Sequence, residues 1–124
     1  MKKNDISPTG WYVASYLIRF IELENENNDD LDNRFTAWEN TVLVKAGNVN
    51  EAYDKVVKIA SEYTVPYKGG SQGVPVRWVF EGVTELLPIY EELADGSELM
   101  YKELTRTFHK NIRATICGCQ WCNI

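Results

Sequence analysis

The chain has 124 residues, with 13 Lys and Arg against 18 Asp and Glu, a net charge of −5, and 44% hydrophobic residues. These are the values of one globular domain, and a chain of this size buries roughly two-thirds of its unfolded surface, enough for one core. The negative balance repels phosphate backbones and so argues against free nucleic acid as a partner; it suits solubility and encounter with a basic protein.

Residues 1–9 read as an N-terminal tail. MKKNDISPTG has two lysines but no apolar h-region behind them, which is not the pattern of a signal peptide. No apolar run is long enough to span a membrane, and the expected location is the cytoplasm. The expected domain covers residues 10–108.

Trp11 to Glu24 is β-branched and aromatic without Gly or Pro, and predicts a long strand. One face carries Tyr12, Ala14, Tyr16, Ile18 and Phe20. The other carries Val13, Leu17, Arg19, Ile21 and Leu23, so both faces are largely apolar. Asn25 to Asn33 is acidic and Asn-rich and predicts a loop. Its aspartates lack the turn Gly and terminal Glu, in register, that a calcium loop needs. A solvated hairpin tip fits better.

Arg34 to Ala46 predicts a second strand, ended by Gly47. Asn48 then caps a helix that runs to about Tyr63, with Glu51 at the third helical position to return the bond. Val49, Ala52, Tyr53, Val56, Ala60 and Tyr63 recur at helical spacing and form its expected buried stripe. Thr64 to Val74 predicts a loop. Its GGSQG run follows a helix and precedes a strand, the reverse of a phosphate-cradling loop, which needs the helix N-terminus at the anion.

Val76 to about Leu87 predicts the third strand, with Trp78 and Phe80 opposing Val79 and Val83. Pro88 cannot donate to a ladder and ends it. Asp95-Gly96 signals a turn. Ser97 to Phe108 predicts the fourth strand. The expected fold is therefore α+β: a four-stranded antiparallel sheet with one helix packed on one face, order ββαββ, and a short C-terminal tail. Four strands about 4.8 Å apart are wider than one helix about 10 Å across, so part of the sheet needs another cover. Three covers are open: the tail, through Ile112, Ile116, Trp121 and Ile124; a second copy, giving a homodimer through the sheet face; or another protein.

The tail over 109–124 holds all three cysteines. Cys117, Cys119 and Cys122 are spaced closely enough to give three positions of a tetrahedral zinc site, with His109, the lone histidine, as a fourth ligand. A second CxxC pair is missing, so a reduced, unliganded tail is the simpler reading. His109 sits in no nucleophile motif. Glu81 and Glu85 share a face of the third strand. Paired carboxylates do acid–base work only where burial separates their pKa values, and here they are expected to face water. Most of the four Trp, seven Tyr and four Phe are expected in the core. Tyr67, Tyr90 and Tyr101 are the candidate protein-interface anchors, because Tyr and Trp dominate interface hot spots.

WYVA at Trp11 to Ala14, then ENTVLVKA, NVNEAYDKV and VRWVFEGVTELLPIYEEL followed by Asp95-Gly96 and SELMYKE, together resemble the bacterial domain-of-unknown-function family numbered 4288. The likeness covers roughly residues 10 to 104 and leaves out the cysteines. It implies a small stand-alone bacterial protein with no assigned activity and no catalytic residue to carry over. The reading is a non-enzymatic protein-binding module without a cofactor, suited to capture a basic partner; an immunity-type protein that neutralises a toxin is one version by analogy. The alternative is a metal- or thiol-dependent protein using zinc at the cysteine cluster and His109.

Overall fold

The strand β1 (Trp11–Glu22) is the spine of the molecule. A computed structural model describes residues 6–105, 107 and 108. His109, the three cysteines and the apolar residues of the tail lie outside the described residues. On one side β1 pairs antiparallel with β2 (Ala37–Lys45), from Trp11 opposite Lys45 to Arg19 opposite Ala37. On the other it pairs antiparallel with β4 (Val74–Pro88), from Tyr12 opposite Pro88 to Glu22 opposite Val76. A short strand β3 (Tyr67–Gly69) adds to the far end of β4, giving the order β2-β1-β4-β3. The helix α1 (Val49–Glu62) lies between β2 and β3 in the chain.

The chain order is thus two strands, a helix and two strands, but only β4 of the last two is an expected strand. Among the described residues, 97 to 108 contain no strand. The sheet is completed instead by Tyr67–Gly69, within the stretch expected to be a loop. Gly70 and Gly73 adopt φ of 73° and 64°, a region that side chains disfavour, and so fold the tight turn that lays Tyr67–Gly69 against Val74–Val76. Pro66 has no N–H to donate and ends the pairing after three residues. Strand propensity in 97–108 does not by itself supply a ladder partner.

Asn48 caps α1 from extended backbone, its Oδ1 accepting from the Glu51 N–H at 2.9 Å. The Glu51 carboxylate returns a bond to the Gly47 N–H at 3.0 Å, one residue further out than the usual reciprocal pair. Lys55 donates to the carbonyl of Lys45 and ties the helix to the end of β2. Asn48→Ala should therefore lower stability by about 1 kcal/mol, read as a shifted urea midpoint at unchanged slope.

Ala52, Val56 and Ala60 are fully buried against Tyr12, Ala14, Tyr16, Ile18 and Val44. The two alanines let the helix sit close to the sheet. Tyr53 and Tyr63, expected in this stripe, are about half exposed. Tyr53 lies one residue off the row of Ala52, Val56 and Ala60, and Tyr63 lies at the helix end.

Two register shifts in the β1–β4 pairing, between Ser15 and Tyr16 and between Leu17 and Ile18, insert Thr84 and Glu81 as extra residues. The shift at Glu81 turns Val83 onto the helix side with Trp78 and Phe80, to which strict alternation opposed it; the shift at Thr84 keeps Leu86 on that side too. The other face is less apolar than β1 alone suggests. Beside Val13, Leu17 and Ile21 stand Thr41 and Glu39 of β2 and Glu85 and Arg77 of β4. Its apolar end is closed at Val13 and Ile89, which are 2% and 1% exposed. There the Ser7 and Thr9 hydroxyls both donate to the Ile89 carbonyl at 2.8 Å, and the Ile89 N–H donates to the Trp11 carbonyl at 2.9 Å.

Candidate functional site

The fourteen residues of α1 span about 21 Å at 1.5 Å per residue, while the twelve of β1 span about 40 Å at 3.3 Å per residue. The helix therefore covers roughly half the length of its sheet face. Its end meets the sheet at Tyr63, whose ring lies 6.2 Å from that of Tyr16. Beyond that point the face is aromatic. Trp38 lies 4.6 Å from Trp78, and Phe20 stands edge-on to Trp78 at 5.3 Å. Trp38 is 55% exposed.

This aromatic end adjoins a groove of about 420 Å³ whose floor and walls include Phe20, Val76, Tyr67 and the glycine turn, with Glu22 at its side. A second, more apolar cavity of about 470 Å³ opens at the other end of β4, between Leu87, Pro88 and Tyr90 and the returning residues Leu99, Met100 and Tyr101. The return is fixed by a local knot: Ser97 Oγ accepts from the Ala94 N–H at 2.8 Å, and the Glu91 carboxylate accepts from the Glu98 N–H at 2.6 Å.

Two of the three tyrosines singled out from the sequence thus come together. Tyr90 and Tyr101 line the second cavity, 59% and 74% exposed. Tyr67 lines the first groove, with β4 running between the two sites. Trp38 escaped the sequence reading because alternation places it with Asn40, Val42 and Val44 on the helix-covered face. Comparing the length of the helix with the length of the strand would have found it.

The carboxylates do not gather into a catalytic pair. Glu81 Oε1 accepts from Arg19 Nε at 2.6 Å, and Arg19 also donates to the Asn28 carbonyl at 2.8 Å while its guanidinium lies 4.4 Å from the Phe35 ring centre. Glu85 stands opposite Ser15. The Asn-rich loop is anchored by Arg19 and by Asn28 Nδ2, which donates to the Glu22 carbonyl at 2.7 Å. Its Asn25 and Asp30 side chains accept from backbone N–H groups two residues on. Among the described residues no three His, Cys, Asp or Glu side chains cluster as metal ligands, and no helix is long and apolar enough to cross a membrane.

No curated protein and no solved structure matches the chain. A family described as a domain of unknown function, DUF4288, matches residues 11–101, from the first residue of β1 to the tyrosine that closes the second cavity. The chain belongs to that family.

Proposed function

We propose that the chain is a non-enzymatic, cytoplasmic protein-binding module that captures a basic partner. The observation that carries this reading is the apolar and acidic surface around the cavity at the end of β4. Tyr90, Tyr101 and Leu104 are exposed there, within a stretch that also holds Glu91, Glu92, Asp95, Glu98 and Glu103 against one lysine, Lys102. Exposed tyrosines are the residue type that anchors interfaces, and a surrounding field of one sign selects a partner of the other. Neutralisation of a basic toxin is one form such capture takes.

The test is affinity capture from cell extract with the full chain and with a Tyr90→Ala, Tyr101→Ala double variant as parallel baits. The reading predicts a specific basic protein retained by the first and lost from the second, the double change weakening binding by about 2 kcal/mol or more. Equal retention by both baits would remove this surface from the interface. A second copy of the chain as the retained species would replace the basic partner with a homodimer.

A further inference from the structure

The groove beside the uncovered aromatic end carries a single charged side chain, the Glu22 carboxylate. That carboxylate has no ion pair among the described residues. Around it the groove is lined by Phe20, Tyr67, Val74, Val76 and the turn residues Gly69 to Gln72, with Trp78 and Trp38 next along the face. Elsewhere the fold fills the same kind of place from within: Arg19 lies over Phe35, and Lys45 over Trp11. The groove has rings and a carboxylate but no Lys or Arg among its lining residues; Lys68, between Tyr67 and Gly69, lies against Gly73 instead.

We infer that this groove is the seat of an arginine side chain presented by a basic partner protein. The guanidinium stacks on an aromatic ring and pairs with the Glu22 carboxylate, and the flanking residues of the partner lie across Trp78 and Trp38. Arginine fits better than lysine because its planar group both stacks and offers paired N–H donors to a carboxylate. A second copy of the chain is the poorer occupant, because it brings another net −5 to an acidic edge. The inference rests on the basic-partner reading and adds a contact site remote from Tyr90 and Tyr101.

The test is a backbone amide map of the isotope-labelled full chain, titrated with a short oligo-arginine peptide, an oligo-lysine peptide and a citrulline peptide of equal length. Arginine should shift the amides of Glu22, Tyr67 and Gly69 to Gln72, lysine should do so more weakly, and citrulline should not. Glu22→Gln, an exposed change that leaves the core alone, should raise the arginine peptide's Kd roughly fivefold. Citrulline binding as well as arginine would overturn the inference, as would an unaltered Kd in Glu22→Gln. Shifts confined to Tyr90–Tyr101 would overturn the groove while leaving the basic-partner reading in place. No shifts anywhere would count against both.

Discussion

Replacing Tyr16 with alanine should lower stability by about 4 kcal/mol, the range for emptying the site of a large buried ring. Tyr16 is 1% exposed on the strand that both neighbours pair with, beneath the helix end, with its ring against Tyr63. Its hydroxyl accepts a long bond from Asn40 Nδ2, at 3.4 Å, and also interacts with the Tyr63 side chain. Tyr16→Phe should therefore cost at most about 1 kcal/mol. The two variants together separate the ring from the hydroxyl, and urea unfolding measures both. The hydroxyl has a second signature. Burial pushes the Tyr16 pKa above its ordinary value of 10.0, partly offset by the Asn40 bond. The folded state then holds the proton more tightly than the unfolded chain. The resulting stability is fully present below pH 10, and is lost as pH rises through the higher folded value. Tyr16→Phe should flatten that alkaline loss; an identical alkaline slope in both proteins would show that other groups cause it.

Proline at Ser15 should be the more disruptive backbone change, costing about 3 kcal/mol or more through loss of the central ladder. Ser15 is 4% exposed, lies opposite Thr41 on one side and Glu85 on the other, and its hydroxyl is bonded to that of Thr41 at 2.7 Å. Proline at Thr105 is the matched control. Sequence pattern puts Thr105 inside a strand, whereas the structure leaves it exposed and outside any ladder. Thr105→Pro should change the melting temperature by no more than a degree or two, as expected of a surface change within about 0.5 kcal/mol. A large loss at Thr105 would show that the segment after Gly96 pairs with the sheet after all.

The parts of the fold legible in the sequence are those specified locally. The Asn48 cap with Glu51, the row of Ala52, Val56 and Ala60, and the β-branched run of β1 each carry their signal within a few residues. What escaped depends on distant geometry. Tyr67–Gly69 hides in a Gly-rich run, because the same glycines that read as loop also make the turn that brings it to β4. Val83 changes face because Glu81 inserts a residue between it and Phe80, and Thr84 then restores the original parity for Leu86; no alternation rule anticipates a bulge. Ser97–Phe108 has strand-forming residues, but propensity names no partner. The same division holds for the candidate site. Tyr67, Tyr90 and Tyr101 are legible as candidate anchors from residue type alone, but their separation into two sites follows from the path of β4. Trp38 needed the position of the helix end.

The most direct test of the central claim is the affinity between the chain and the protein it captures, measured across added salt. Capture through an acidic surface predicts a Kd that rises at least about tenfold between roughly 0.05 and 0.5 M salt, as screening shortens the reach of surface charge. An affinity that stays constant over that range would contradict recognition of a basic partner.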